Sequence, residues 1–562
     1  MTSASPSAAT QPAATSGYSA TATHERKQVI ARAQKLLLEG VEHVATHFTS
    51  HAKKPYPSLS AKSLHALTLK IFGRIVLPGD PDYDAARSTE NPAYHFYPAM
   101  IVFASSTPDV QWAIQYAKQY NLHVVPRSGR HSFAGYNGVD GGMVLDVSLM
   151  NSVVVDAATP RVFVGAGVNF EKLLPILDAY RLNFTTGHCP SVGVAGYYLG
   201  GGYGLTARQW GVGCDQVTEM EVVLADSSVV TASPTVNRDL FWALRGGTGG
   251  QFGVVTALTI AAHRIGNVWG VQYEWDPVAH QADAATALQV MQDVYIAGPD
   301  SSPKYDNICF EAILRTEDPA LGLRLVILAM YNDSQEPDKN KQLENLHRIM
   351  APLCAVPNAI VTIPPTCDTY NTVNEMLVWG KSLMESAVLI QSTIFTKVLT
   401  HSQWQSILNW TIVQHPLPNQ ESTITFETYG GCMNRAPQHP SAWVHRSGTM
   451  NSSCYVFWTA ETDRQKNADW QQSFEAFVQP FSDGESYQNY PNRQQANWAA
   501  AYFKEEYPWL QYVKAKYDPA SFFHFPQGIV PNSTPPVGPA PFTAGQGADI
   551  VRVIDSVHDP FL

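Results

Sequence analysis

The sequence predicts a mixed helix-and-strand chain in two parts, the second an antiparallel sheet with helices on one face. Three observations carry this. From Pro92 to Ile265, short apolar runs such as Val144-Leu145-Asp146-Val147 and Val162-Phe163-Val164 alternate with amphipathic stretches, Val110 to Tyr120 and Phe170 to Tyr180, an α/β or α+β pattern. From Gly266 to Glu485 the strand candidates lengthen (Gly270 to Trp275, Leu323 to Tyr331, Ser422 to Tyr429, Cys454 to Ala460), with helical segments at Val278 to Tyr295, Asn340 to Met350 and Lys466 to Phe477. Glycine is concentrated in Gly187 to Gly213 and Arg245 to Gly253, where backbone must closely approach something, a ligand being the natural candidate.

Composition excludes several classes. Of 562 residues, 45% are hydrophobic and 15% charged, against about 25% in an average soluble protein, so a disordered or coiled-coil chain is ruled out. The net charge of -11 comes without a long basic run, which argues against a nucleic-acid partner. Seven cysteines show no C-x-x-C pair. No apolar run approaches a membrane span, and the N-terminus lacks the apolar segment of a secretory signal, leaving cytoplasmic and exported locations both open. Residues 1 to 50 are expected to be a flexible tail and a helix, the tail because Ser, Ala, Thr and Pro dominate residues 1 to 24. His43, His47 and His51 recur at helical spacing, but no second ligand set accompanies them, so they are read as surface histidines rather than a metal site.

In chain order, the first motif is Val124 to Gly135. A strand ending at Pro126 runs into a polar turn, Arg127-Ser128-Gly129-Arg130-His131-Ser132, whose backbone N–H groups and guanidinium charge suit a pyrophosphate as well as they suit an ordinary turn. The second is Gly187-His188-Cys189-Pro190-Ser191-Val192-Gly193-Val194-Ala195-Gly196 with Gly200-Gly201-Gly202-Tyr203-Gly204, seven glycines in eighteen residues. Gly202 to Ala207 matches the letter of G-x-G-x-x-A but lacks the preceding hydrophobic strand; Gly380-Lys381-Ser382 has Glu375 where a P-loop needs glycine. No G-x-S-x-G elbow of a serine hydrolase occurs. The third is Thr423, Thr425, Glu427 and Tyr429, alternating with Ile424, Phe426 and Thr428, so that the polar set shares one strand face before Gly430-Gly431. A helix from Trp498 to Lys516 then leads to Tyr517-Asp518-Pro519 and the run Phe522-Phe523-His524-Phe525-Pro526, and the Pro- and Gly-rich end reads as a surface tail.

Together Arg127 to Gly135, Gly187 to Gly204, Arg238 to Gly247 with Gly253-Val254-Val255-Thr256, and Val513 to Pro519 with Phe525-Pro526-Gln527 resemble the FAD-linked oxidases of the vanillyl-alcohol oxidase and p-cresol methylhydroxylase superfamily, in the berberine-bridge-enzyme-like branch. The resemblance covers residues 80 to 531, and four motifs in the right order are far more specific than one. It implies a two-domain α+β fold: an FAD-binding (PCMH-type) domain over 51–265, a substrate domain over 266–485, a C-terminal segment over 486–531 completing the flavin domain, and a tail over 532–562.

The resemblance also implies FAD held by two covalent bonds, His131 matching the histidine on the flavin 8α-methyl and Cys189 the cysteine on C6. Cofactor contacts are expected from Arg127, Ser128, Gly129, Arg130, Ser132, Gly135, Gly187, His188, Val192, Gly193, Gly196, Gly200, Gly201, Gly202, Gly204, Val255, Tyr490 and Asn492. Tyr487-Gln488-Asn489-Tyr490 resembles the family's Y-x-N-Y motif, whose first tyrosine is a base in sugar-oxidising relatives; the family's usual Asp two residues on is here Asn492. A tyrosine of ordinary pKa about 10 needs a neighbour to share its proton, so Tyr487 is expected to act with Glu427, and Tyr429 on the same face joins them as a catalytic candidate. Val192, no larger than the residue that leaves room for dioxygen in relatives, favours an oxidase.

The expected activity is therefore oxidation of an alcohol, either a sugar hemiacetal or a secondary-metabolite alcohol, by a monomer, with hydride passing to FAD and dioxygen reduced to hydrogen peroxide. A dehydrogenase with another acceptor and a flavin-containing binding protein are the alternatives. Eight of the 13 Trp fall in residues 266–485, and any that face the flavin would suit stacking on a substrate ring.

Overall fold

The computed structural model describes residues 59–295, 306–316, 321–377, 386–414 and 422–543. The expected N-terminal tail and helix, the three histidines at 43, 47 and 51, and the end of the C-terminal tail lie outside the described residues. Three main sheets follow one another along the chain, and the architecture is the α+β arrangement expected, with a PCMH-type first part and an antiparallel, helix-covered second part.

The first sheet holds β1 (Arg74–Val76), β2 (Met100–Phe103), β3 (Val124–Arg127) and β4 (Met143–Asp146) in the order β1-β2-β4-β3. β4 runs parallel to β2 and β3, and β2 and β4 are buried along their whole length, as uninterrupted apolar strands require. The crossover between β2 and β3 is the helix Thr107–Gln119, which Ser106 caps through Asp109 N–H. At the end of β3 the chain must place a charge inside: Arg127 Nε donates to Asp146 Oδ2 at 2.6 Å, with both side chains fully buried.

In the second sheet β5 (Val153–Asp156) and β6 (Arg161–Gly165) come first; then β7 (Leu182–Asn183) leaves to pair with a later strand, β8 (Val217–Val223) and β9 (Val229–Ala232) follow, and β10 (Val254–Ala261) lies between β6 and β8. The partner of β7 is β11 (His263–Arg264). The helix Phe170–Tyr180 forms where its spacing predicts, capped by Asn169 and ended by Arg181 in the left-handed region.

The third sheet is wholly antiparallel: β12 (Val268–Trp275), β13 (Ile308–Arg315), β14 (Arg324–Tyr331), β15 (Ile360–Asp368), β16 (Ala387–Phe395), β17 (Thr423–Thr428) and β18 (Met450–Trp458), ordered β15-β12-β14-β13-β17-β18-β16. Its two faces have different chemistry. Phe310, Ala312, Leu314, Ile424, Phe426, Cys454 and Val456 pack with Leu288, Leu346, Trp404 and Phe474 from the helices Gln281–Tyr295, Lys339–Cys354, His401–Val413 and Arg464–Val478. The alternate residues, Glu311, Ile313, Thr423, Thr425, Glu427, Tyr455 and Phe457, line a cavity on the opposite face.

Two expectations are corrected. The single helix from Trp498 to Lys516 is two, Trp498–Phe503 and Tyr507–Tyr517, joined by a 3-10 turn. Pro508, in the first turn of the second helix, would drive its ring into the carbonyl four residues back were the helix continuous, so the chain breaks at Lys504, whose φ is 49°. Tyr429 falls beyond β17 instead of continuing its face. The second helix packs back on the first part of the chain: Tyr517 Oη and Lys516 Nζ reach Asp239 at 2.7 and 2.6 Å.

Asp146→Ala leaves the Arg127 guanidinium buried without its carboxylate, a loss of about 3–5 kcal/mol. The variant is expected to melt at clearly lower temperature by circular dichroism, and an unchanged melting curve would show the pair to be dispensable.

Candidate active site

The cavity has a volume of about 560 Å³ and is walled by the loops around 126–133, 187–199 and 248–255, by β13, β17 and β18, and by residues 488–491 and 524–527. Two glycine loops meet backbone to backbone at its floor. A Cβ on Gly129 would lie 2.2 Å from the Gly193 nitrogen, and one on Gly193 would lie 2.5 Å from Ser128 Oγ. This approach brings the two expected tether residues together around one hydroxyl: His131 Nε2 is 2.7 Å and Cys189 Sγ 3.6 Å from Ser191 Oγ. Burial lowers the His131 pKa to about 4, so the ring is a neutral imidazole with a free lone pair at neutral pH. Burial also pushes the Cys189 thiol up, against hydrogen bonds with Ser191 that work the other way.

The residues present fit a flavin. Gly196 lines the cavity and a Cβ there would meet nothing within 4 Å, so the missing side chain is cavity space. Ser128, Gly129, Ser132, Gly187, Val192, Gly193 and Val255 line the same space, as expected, as do Arg127, Arg130, His188 and Tyr490.

The expected guanidinium contacts are different from those found. Arg127 turns into its ion pair with Asp146, and Arg130 Nη1 donates to Ala85 O at 3.1 Å, because a buried carboxylate and helix-end carbonyls claim them; what these residues offer the cavity is chiefly the backbone turn, where Arg130 has φ 66°. Several other expected contacts are packing residues outside the cavity lining. Gly135 makes room for the Tyr94 ring, Gly200 for Asn489, Gly201 for Trp443, Gly202 for Tyr197 and Gly204 for the Thr186 carbonyl. Asn492 spends its amide on Gln391 Oε1 at 2.6 Å and its N–H on Tyr502 Oη.

The catalytic candidates are rearranged too. Tyr487 lies outside the lining, its Oη accepting from Gly202 N–H at 2.7 Å and Asn489 Nδ2 at 2.9 Å. Tyr429 is fully buried and stacks on Tyr203. The phenol that meets Glu427 is Tyr490, whose Oη donates to Glu427 Oε1 at 2.7 Å, while Asn451 Nδ2 donates to Oε2 at 2.8 Å. Burial, then the negative charge of Glu311, push the Glu427 pKa up to about 7.

Four neighbours of the candidate residues escaped the sequence reading. Asn451 and Glu311 are the register partners of Glu427 on the two neighbouring strands, Tyr455 stands beside Tyr490 on the cavity wall, and Ser191 lies between His131 and Cys189. Glu311 carried a signal: it is the one acid in the apolar run Ile308-Cys309-Phe310-Glu311-Ala312-Ile313-Leu314, where a buried carboxylate is costly unless it has a partner and a use. Among the described residues no Trp lines the cavity; its aromatic lining is all Phe and Tyr, including Phe133, Tyr455, Phe457 and Tyr490.

Residues 98–233 match the family model described as FAD binding domain, and residues 486–530 the one described as Berberine and berberine like. The uncharacterized FAD-linked oxidoreductase YgaK of Bacillus subtilis is 27% identical, with 82% of this chain and 98% of that protein covered. The xylooligosaccharide oxidase of Thermothelomyces thermophilus is 24% identical over 87% of this chain and 98% of its own. The structure of Physcomitrella patens BBE-like 1 superposes with a TM-score of 0.73 at 24% identity, covering 83% of this chain and 98% of that one. The protein is thus an enzyme, an FAD-linked oxidoreductase. It carries the FAD binding domain and the C-terminal segment described as Berberine and berberine like.

Gly196→Leu places a side chain in cavity space, at a position where a Cβ meets nothing within 4 Å. The variant is expected to keep the wild-type far-ultraviolet spectrum and to lose most of its absorbance near the flavin maximum relative to protein; full flavin content would misplace the cofactor.

Proposed function

We propose that the protein is an oxidase of a neutral hydroxyl compound, a sugar hemiacetal or a secondary-metabolite alcohol, holding FAD through both His131 and Cys189 and using dioxygen as acceptor. One observation carries the reading: the Tyr490 phenol and the Glu427 carboxylate form a 2.7 Å hydrogen bond on the wall of the same cavity that holds His131 and Cys189. FAD, when bound, supplies the two-electron acceptor for the carbinol hydrogen and passes the electrons on to dioxygen, giving hydrogen peroxide. The chain's own task is the hydroxyl proton.

Tyr490 Oη accepts the substrate O–H as it donates its own proton to Glu427 Oε1, so the phenolate, which burial and the Glu427 charge hold far out of reach at neutral pH, need not exist as a separate species. Glu427 is the terminal acceptor. Its raised pKa of about 7 makes it a stronger base than an ordinary carboxylate, and one that is filled by a proton below neutrality. Thr423, Thr425 and the aromatic wall offer hydroxyls and ring faces to a sugar or phenolic ring. Val192 lines the cavity three residues after Cys189, which supports access for dioxygen. Similar proteins named carbohydrate oxidase and xylooligosaccharide oxidase support the substrate class.

Screening sugars and phenolic alcohols for peroxide release identifies the substrate. With it, Glu427→Gln and Tyr490→Phe are each expected to slow anaerobic flavin bleaching by about 10²–10⁴-fold, more than Tyr487→Phe does. The wild-type rate is expected to fall as pH drops below about 7, where Glu427 takes up its proton. Undiminished bleaching in Glu427→Gln would overturn the base. For the tethers, acid precipitation is expected to leave the yellow colour in the pellet, and to release it only when both His131 and Cys189 are replaced.

A further inference from the structure

Glu427 is not the only carboxylate in the wall. Glu311 sits opposite it on β13, both are buried, and both line the cavity. Two negative charges side by side in the middle of a sheet are costly unless a cation answers one of them. The answer comes from the glycine loop: His188 Nε2 lies 2.8 Å from Glu311 Oε1, and His188 Nδ1 lies 3.3 Å from Asn374 Oδ1. An imidazole with a carboxylate oxygen against one nitrogen and an amide oxygen against the other is in an environment that favours the doubly protonated ring. Burial disfavours that cation, yet the nearby charge of Glu311, with Asn374 and then Glu427, raises its pKa to about 9.

The other titratable groups facing Glu427 are phenols: Tyr197 and Tyr203 from the glycine loop, Tyr429 beyond β17, Tyr455 on β18, and Tyr487 and Tyr490 from the C-terminal segment. Burial pushes all of them up, so they are uncharged at neutral pH. Glu311 faces in addition the Cys309 thiol and Tyr370, both likewise pushed up by burial. The charge around Glu427 is therefore set by one cation and one anion.

We propose that His188 and Glu311 are a positioning pair for the base: the His188 cation cancels the Glu311 charge, so that Glu427 gains and loses its proton as a single carboxylate instead of as half of a proton-sharing dyad. This rests on Glu427 being the base, as argued above. His188 touches no proton of the substrate in this scheme; it acts through Glu311, and it couples the loop carrying Cys189 to the chemistry on the sheet.

The test titrates the carboxyl directly in the holoenzyme and needs no substrate: the infrared carbonyl band of the protonated buried carboxyl, identified by its loss in Glu427→Gln, is followed against pH. In the wild type the last carboxyl proton is expected to leave near pH 7. In Glu311→Gln, with the anion gone and the cation kept, the midpoint is expected to fall by about one unit; in His188→Asn, with two uncompensated carboxylates, it is expected to rise by about as much; in the double variant it returns towards wild type. An unmoved midpoint in Glu311→Gln, or shifts of the same sign in both single variants, would overturn the pair. Should a single variant fail to fold, Glu311→Asp and His188→Lys keep the charges, and a shift beyond about half a unit in either overturns it. Anaerobic bleaching in Glu427→Gln separates the two readings: undiminished bleaching removes the base, whereas shifts of the wrong sign remove only the pair.

Discussion

A carboxylate in the middle of an antiparallel sheet is the constraint on which the rest of this site depends. Glu427 stands on β17, flanked by β13 and β18, where no water-filled edge is available to solvate it. Leaving it unpaired would cost several kcal/mol, so each oxygen is given a donor, Tyr490 on one and Asn451 on the other. Register does the placing. Glu311, Glu427 and Asn451 are consecutive partners across three strands, and a slip of one residue would turn all of them onto the face that packs against Leu288, Trp404 and Phe474. The apolar residues between them on each strand therefore act in the site as well as in the core, because their burial against the helices holds the polar row on the cavity side.

Opposite demands shape the glycine loops. A sheet can hold a carboxylate at a fixed point, but a cofactor as long as FAD has to be followed by backbone, which needs loops that come close to each other without side chains between them. Gly129 and Gly193 provide that contact, and Ser191 then lies within reach of both His131 and Cys189. The same loop delivers His188 to Glu311. In the proposed scheme cofactor attachment and the electrostatics of the base are thus carried by adjacent residues, so movement of this loop would disturb both.

Much of this was legible in the sequence. Helix Phe170–Tyr180, strands β6, β12 and β17 and the division into a mixed first part and an antiparallel second part follow from periodicity, and the tether candidates His131 and Cys189 follow from the resemblance, which also marked the Y-x-N-Y segment. What the sequence could not give was direction. Arg127 and Arg130 read as phosphate ligands because their type and turn suit an anion, yet Asp146, nineteen residues after Arg127, competes for one of them from a neighbouring strand. Gly200, Gly201, Gly202 and Gly204 read as cofactor glycines because they adjoin Cys189, yet the space they leave is taken by Asn489, Trp443, Tyr197 and the Thr186 carbonyl. Tyr487 and Tyr490 are three residues apart and chemically identical, so only the path of the chain decides which meets Glu427. Glu311 shows the converse: pairing across β13 and β17 joins residues 116 positions apart, which local spacing does not reveal.

The aromatic excess divides along the same lines. Tryptophan goes to the cores: Trp275 and Trp404 are fully buried on the helix side of the third sheet, and Trp443 is buried behind Gly201. The cavity instead takes tyrosine and phenylalanine, with Phe133 edge-on to both Tyr455 and Tyr490. Indole offers a donor only, whereas a phenol both donates and accepts. In the proposed scheme a wall beside a carboxylate that exchanges a proton with a substrate hydroxyl needs groups that do both, and the Tyr490 ring is fixed for it between Phe133, Tyr455 and Tyr487. Tight packing of neutral rings also keeps water from solvating Glu427, which leaves the carboxylate basic enough to accept the proton that the phenol hands on.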